Sequence, residues 1–176
     1  MSKPRLFIIT GISGSGKTTV ARYLLGHGEV AFDSKINPGL YQFVDKAGTV
    51  AQSIKLHDEH WQKTYKWSLN REKLEELLEQ NHDAARVFLC GKANLFQYWD
   101  KADGVFLLRI NEATLLKRLN NKSRDNLFAK DKETQSKLAE NLDTVQNKML
   151  EKGAILVDAK SPVSAVVHQI IQAVDL

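Results

Sequence analysis

Five short apolar runs punctuate the chain: RLFIIT (5–10), EVAFD (29–33), RVFLC (86–90), GVFLLRI (104–110) and AILVD (154–158). Each is continuous rather than alternating, which is the pattern of strands covered on both faces. Between them the apolar spacing changes to a helical period. KTTVARYLLGHG (17–28) ends in glycine, and NREKLEELLEQNHD (70–83) places Leu74, Leu77 and Leu78 along one face. Asn111 stands as the cap of EATLLKRLNN (112–121), while Leu138, Leu142, Val145 and Met149 form a stripe that stops at Gly153. A last helix follows Pro162, carrying Val166, Val167, Ile170 and Ile171. Strands alternating with helices predict an α/β domain, a parallel sheet wrapped on both sides in three layers.

No repeat, low-complexity tract or Pro/Gly-rich linker divides the chain, so residues 1–176 are expected to form a single domain. Two stretches are less regular: 34–53, with Pro38-Gly39 as a turn signal inside an insertion of about 34–67, and the basic stretch of about 120–131. Insertions of this kind at strand ends in a compact α/β domain are binding loops or lids more often than packing elements.

Composition adds little to this picture except through charge. With 43% hydrophobic and 26% charged residues the chain is ordinary for a globular protein. No apolar run approaches the roughly 18 residues that span a bilayer, and the apolar part of the N-terminus is too short for a signal peptide. The one cysteine, Cys90, has no internal disulfide partner and ends an apolar run, as a buried and inert thiol would. These features together predict a cytoplasmic protein. The net charge of +4 is concentrated in 117–132, where six Lys and Arg meet two Asp, and the rest of the chain balances. So local an excess points to an anionic partner, a phosphate-bearing small molecule ahead of nucleic acid.

The chemistry sits directly after the first apolar run. Gly11, Ile12, Ser13, Gly14, Ser15, Gly16, Lys17 and Thr18, followed by Thr19, spell G-x-x-x-x-G-K-T, the Walker A pattern. Backbone N–H groups converge on a phosphate only in a tight turn free of side chains, which glycine permits. The turn then feeds a helix N-terminus, whose unpaired N–H groups and dipole also favour an anion. Lys17 supplies a point charge for the β- and γ-phosphates, and the Thr18 hydroxyl is a ligand for Mg²⁺. A strand before the motif and an amphipathic helix after it complete the required setting. The predicted ligands are a nucleoside triphosphate and Mg²⁺.

Other features narrow the class of nucleotide protein. A GTP switch needs N-K-x-D after a strand, and NKSRD (121–125) puts its aspartate one place late, after a helix. An energy-transducing ATPase places acidic residues at the end of an apolar strand, whereas RVFLC ends in Cys90-Gly91. HDEH (57–60) spaces His57 and His60 at i and i+3 without a third placed ligand, which reads as surface. Trp61, Tyr65 and Trp67 alternate with Lys63 and Lys66; a helix packing Trp61 and Tyr65 onto the sheet accounts for them, and they also suit a wall of an acceptor pocket.

The phosphate loop, together with FDSKINPGLYQFVDKAG, FLCGKANLFQYWDKADGVFLLRINEATLLKRL and GAILVDAKSP, resembles the small phosphate-loop kinases, the shikimate, gluconate and nucleoside monophosphate kinases. Within that group it is most similar to a branch of kinase-like ATP-binding proteins of AAA type. The resemblance implies a P-loop NTPase fold with five parallel strands in the order 2-3-1-4-5 and a short lid. It implies an ATP-dependent phosphotransferase acting on a small acceptor such as a nucleoside, nucleotide or sugar-like metabolite; a monomer or homodimer is expected. Asp33 falls where related kinases use a carboxylate to orient the acceptor hydroxyl or hold Mg²⁺ through water, although the second Asp of shikimate-type enzymes is here Lys35. Arg118 and Arg124 match the helix-end and lid arginines that close over the transferring phosphoryl group, a role suited to a planar, always-charged fork of donors. VDAKSP (157–162) lies where such kinases wrap backbone around adenine, with Asp158 read equally well as a turn residue. Two other readings remain open at this point: an ATP-binding sensing module that transfers nothing, and a kinase directed at nucleic acid.

Overall fold

The computed structural model describes residues 3–56, 58–91, 93–121 and 131–176. The five apolar runs form one parallel sheet. Its strands are β1 (Arg5–Thr10), β2 (Val30–Phe32), β5 (Arg86–Cys90), β6 (Gly104–Arg109) and β7 (Ile155–Asp158), side by side as β2-β5-β1-β6-β7. Counting the sheet strands alone in chain order, this is 2-3-1-4-5. The numbering skips because a separate antiparallel hairpin, β3 (Tyr41–Val44) with β4 (Lys66–Leu69), lies inside the 34–67 insertion. Sequence patterning missed this hairpin because two four-residue strands separated by a long excursion carry too few positions to show a period.

Continuous apolar patterning has the consequence expected of it. In β1, Phe7 and Ile9 pack on one face of the sheet and Ile8 on the other, all three buried. On the first face lie α1 (Lys17–Gly26) and α7 (Val163–Val174), through Val20, Leu24, Val166 and Ile170, with Leu115 and Leu119 of α4 (Glu112–Leu119). On the second, Leu74 and Leu77 of α3 (Arg71–Gln80) and Leu95 of a 3-10 helix (Ala93–Lys101) cover Ile8, Leu89 and Leu107. Burying side chains of this size is worth roughly 1.5–3 kcal/mol each, which is what holds two helical layers to one sheet.

The helix caps follow the sequence. Asn70 accepts from Lys73 N at 3.2 Å, and Asn111 accepts from Thr114 N at 3.0 Å. The stripe Leu138–Met149 is not one helix. It breaks at Asn141 between α5 (Lys132–Glu140) and α6 (Leu142–Glu151), with Asn141 Nδ2 donating to the Lys137 carbonyl at 2.8 Å. Asparagine competes for backbone partners, so a continuous period of apolar side chains can run across a helix break. From α6, the fully buried Gln146 closes a reciprocal pair with Ile110: its Oε1 accepts from Ile110 N at 2.9 Å and its Nε2 donates to Ile110 O at 3.0 Å. This fixes the turn between β6 and α4, and through it the position of Arg118.

The short α2 (Glu59–Thr64) carries Trp61, and its Asp58 cap accepts from Trp61 N at 3.0 Å. Trp61 and Tyr65 do meet, with ring centroids 5.3 Å apart. Yet Trp61 rests on Phe43 of the hairpin, at 4.8 Å, and not on the five-stranded sheet as patterning suggested. The hairpin supplies an aromatic surface closer in sequence than the sheet.

Candidate active site

The loop between β1 and α1 is built by glycine where nothing else fits. Gly14, at φ +90°, lies beneath α4, and a Cβ there would sit 3.3 Å from both Leu115 Cδ1 and Leu119 Cδ2. Gly11, in the left-handed half of the map at φ +152°, would bring its Cβ within 2.6 Å of Ser15 Oγ. The loop is thus pressed between its own turn and α4, and it delivers Gly16 as the N-cap of α1. Ser15 is buried inside it and donates its N–H to Ile12 O at 3.1 Å. Lys17 folds over the turn, its Nζ donating to Gly11 O at 2.9 Å and Ile12 O at 2.8 Å, with Ser15 Oγ at 3.4 Å. The ammonium is thereby anchored at the mouth of the loop that the sequence assigns to phosphate.

Asp33 follows β2 directly. Parallel pairing sets Phe32 beside Leu89 and Ile9 beside Cys90, so Asp33, Gly91 and the phosphate loop emerge together from the carboxyl ends of three adjacent strands. Ligands of open α/β sheets bind outside that edge, where connections leave the central strand in opposite directions. Asp33 is only 3% exposed. Its carboxylate accepts from Thr18 Oγ1 at 3.1 Å to each oxygen and from Lys35 N at 2.8 Å. Asn37 locks the turn, accepting from Asp33 N at 3.0 Å through its side chain. Lys35, standing where a second acid belongs in shikimate-type enzymes, serves Asp33 through its backbone N–H.

The Thr18–Asp33 pair is informative about metal. A hydroxyl has one proton and two lone pairs, and here the proton is given to Asp33, which leaves the lone pairs for a cation. Hydroxyl and carboxylate oxygens are the donors Mg²⁺ prefers, and it takes few protein ligands when phosphates supply the rest. Among the described residues no group of three or more His, Cys, Asp and Glu is gathered to hold a metal, and His60 stands exposed without such company, while His57 lies outside the described residues.

Arg118 reaches the loop from behind. Its Nη1 donates to Ser15 O at 2.9 Å, with Gly14 O at 3.5 Å, and its Nη2 donates to Ala159 O at 2.6 Å. One guanidinium therefore ties the phosphate loop to the turn after β7, and its partial burial lowers its pKa from the ordinary arginine value. Arg124, with the rest of 122–130, lies outside the described residues, so the expected lid and the N-K-x-D comparison are carried by sequence alone. Asp158 behaves as a turn residue, its Oδ1 accepting from Lys160 N at 3.1 Å.

The phosphate loop from Ser13 onward, Asp33, Lys35 and Arg118 line one cleft of about 940 Å³. One half is the loop from Ser13 to Thr19 together with Arg118, Ala159, Ser161 and Pro162. The other half contains Asp33, Lys35, Cys90 and Gly91 and is closed by Tyr41, Phe43 and Trp67 from the hairpin. Tyr41 and Gly91 were invisible to motif reading, since their fit is made across the fold. The Tyr41 hydroxyl donates to Cys90 O at 3.1 Å, and a Cβ at Gly91 would lie 2.0 Å from that hydroxyl oxygen. Burial raises the Tyr41 pKa above its ordinary value, and the neighbouring Cys90 and Asp33 add to the effect. Cys90 is likewise pushed up, by burial first and by the Asp33 charge second, with Lys17 opposing. Its thiol is buried and protonated, as its place at the end of an apolar run predicts. No described helix is long and apolar enough to cross a membrane.

This architecture is shared with solved kinases. Deoxyadenosine kinase from M. mycoides with bound dATP superposes with a TM-score of 0.54 at 14% identity, over 97% of this chain and 99% of that one. Shikimate kinase from Acinetobacter baumannii in complex with shikimate gives 0.61 at 17% identity, over 97% and 93%. Shikimate kinase from Bacteroides thetaiotaomicron gives 0.56 at 13%, over 98% and 99%. At such identities the likeness establishes the three-layer P-loop NTPase fold. No curated protein matches the chain by sequence. A family profile described as an AAA domain matches residues 8–137, from within β1, across the phosphate loop and Asp33, to α5. Since that span takes in most of the chain, the chain belongs to the AAA domain family.

Proposed function

We propose that the chain is an ATP-dependent phosphotransferase that moves the γ-phosphoryl group of ATP to a hydroxyl of a small acceptor, with residues 1–176 acting as one domain. The observation that carries this reading is the buried Asp33 carboxylate hydrogen-bonded to Thr18 where the donor half of the cleft meets the other half. A pure nucleotide-binding module needs the loop; it has no need of a buried carboxylate facing a second, separately walled compartment. The superposed kinases, solved one with dATP and one with shikimate, support a kinase reading of a cleft on this fold.

In this reading the loop N–H groups and Lys17 hold the β- and γ-phosphates, with Gly11 to Thr19 as the binding segment. Thr18 Oγ1 would hold Mg²⁺, its lone pairs oriented by the hydrogen bond to Asp33; the ion, when bound, neutralises charge on the phosphate oxygens. The acceptor oxygen attacks the γ-phosphorus, the bond from that phosphorus to the β–γ bridging oxygen breaks, ADP leaves with the electron pair, and Asp33 takes the acceptor's proton. Such a transfer needs chiefly alignment and charge stabilisation. Arg118 contributes by holding the loop against the β7–α7 turn, which lines the donor half where adenine would rest. Arg124 is proposed, on resemblance, as a further cation for the transferring group.

The test is ADP formation from ATP·Mg²⁺ against a panel of hydroxyl acceptors, with Lys17→Ala beside the native protein. Acceptor-stimulated turnover should fall about 100- to 1,000-fold or more in the variant, the scale on which a transition-state charge partner acts. Undiminished turnover in Lys17→Ala sinks the mechanism. ATP binding without ADP formation from any acceptor would instead support the sensing role.

A further inference from the structure

The acceptor half of the cleft has a chemical character of its own. In the hairpin, Phe43 is paired directly with Trp67, and Tyr41 with Leu69, so Tyr41, Phe43 and Trp67 share one face. Phe43 tilts against Trp67 with ring centroids 4.7 Å apart, and Tyr41 lies nearly parallel to Trp67 at 5.9 Å and 12°. All three line the cleft. Beside them Ile54 and Leu56 face the same space, and Ile54 is 64% exposed, unusual for a large aliphatic side chain. Trp61 backs Phe43 at 4.8 Å and stiffens the wall. The floor is equally settled, because the Tyr41 hydroxyl is spent on Cys90 O and occupies the space that any side chain at position 91 would need.

Among the described residues, polar groups on this side are few. Besides Asp33 and the adjacent Ser34, the lining offers Lys35 and, from α1, the exposed Arg22. A sugar or sugar acid buried here would lose water from several hydroxyls and find partners for few of them, and each unpaired group is costly. A flat unsaturated ring has the opposite balance. It buries two apolar faces, gains from stacking against aromatic side chains, and asks for little hydrogen bonding in return.

Resting on the kinase reading above, we infer that the acceptor is a hydroxyl compound bearing a planar unsaturated ring, which lies against Phe43 and Trp67 while its hydroxyl reaches Asp33. A nucleoside and a simple aryl alcohol share that chemistry, and a nucleoside monophosphate shares the ring while offering a phosphate oxygen beside its remaining sugar hydroxyls. Lys35 and Arg22 at the rim favour none of them by geometry, so the experiment separates them.

Calorimetric titrations are made on the full chain saturated with a non-hydrolysable ATP analogue and Mg²⁺, so that a ring cannot merely enter the donor's base site. The probes are adenosine, thymidine, AMP and 4-hydroxybenzyl alcohol on one side and glucose and gluconate on the other; ADP formation with ATP is measured for the same six. At least one ring compound should bind and stimulate, and the sugars should do neither. Phe43→Leu and Trp67→Leu should each weaken that ring compound about tenfold, the order expected for one aromatic stacking partner. Trp67→Phe should restore most of the loss, and melting temperatures show whether each variant is folded. Binding or stimulation by glucose or gluconate alone overturns the ring assignment and leaves the kinase intact. Ring binding without ADP formation does the reverse. Failure of every ring compound to bind, or ring affinity indifferent to folded Phe43→Leu and Trp67→Leu alike, also overturns the assignment.

Discussion

On the proposed kinase reading, the donor and acceptor halves of the cleft are built on opposite principles. The donor half is backbone: a glycine turn, a helix N-terminus and carbonyls gathered by Lys17 and Arg118. The acceptor half is side chain: one buried carboxylate, a tyrosine wedged over a glycine, and rings contributed by a hairpin far along the chain. Backbone sites are made by short contiguous segments, so they tolerate change elsewhere and serve one invariant ligand. A side-chain site depends on contacts between distant segments, and it can change its ligand by changing a few residues. On the proposed reading, the molecule pairs a generic phosphate cradle with a side-chain pocket that selects the acceptor.

If that division is right, the two halves should fail separately. Of the two glycine variants that test this, Gly91→Ala is expected to have the larger effect. Its Cβ would fall 2.0 Å from the Tyr41 hydroxyl oxygen and 2.5 Å from Leu95 Cδ1, both in buried side chains. The tyrosine ring must then move into the acceptor compartment, and misplacement by about 1 Å is enough to cost roughly 100-fold in turnover. Steady-state assays should show acceptor-dependent kcat/KM reduced by about that factor, with ATP-analogue affinity held. Loss of both together would show that the halves are not independent. Gly14→Ala is the mirror experiment and a smaller one. The left-handed backbone at φ +90° costs a non-glycine residue about 1–2 kcal/mol, and the new methyl group meets Leu115 and Leu119 at 3.3 Å. ATP-analogue affinity should fall about tenfold in a binding titration, with the acceptor KM little changed. An acceptor defect as large as the ATP defect would contradict the division.

The same contrast explains what the sequence could disclose. G-x-x-x-x-G-K-T reports a local backbone geometry, so the glycines at 11, 14 and 16 and the lysine could be placed before any fold was known. The five sheet strands were legible because burial on both faces leaves uninterrupted apolar runs. Asp33 could be singled out only by its place after β2, and its bond to Thr18 spans fifteen residues that no local pattern joins. Tyr41 and Gly91 lie fifty positions apart and are matched only by shape. The hairpin strands are four residues each, and Phe43 meets Trp67 across an excursion of more than twenty residues, so neither period nor spacing announces them. Arg118 was found by resemblance, yet its attachment to Ser15 and Ala159 carbonyls joins three distant segments and had no trace in composition.

Alkaline pH gives the finest probe of the division, because it acts on the acceptor half through groups that the donor half lacks. Cys90 and Tyr41 both have raised pKa values in the folded protein, through burial first and the nearby negative charge of Asp33 after it. The unfolded chain releases these protons near the ordinary values of 9.0 and 10.0, while the folded chain retains them. With more protons bound to the folded state, stability must fall as pH rises through that range. Below pH 8 both groups are protonated in either state and contribute no slope. Between pH 9 and pH 10 the loss from Cys90 should be about 1 kcal/mol, with Tyr41 joining above pH 10. Denaturant titrations at pH 8, 9 and 10 measure it. Cys90→Ala should flatten the decline between pH 9 and 10, and Tyr41→Phe should flatten the steeper part that follows. An equally steep decline in the double variant would mean that alkaline fragility lies outside the acceptor half, and that Asp33 is not surrounded by acids held neutral around a single charge.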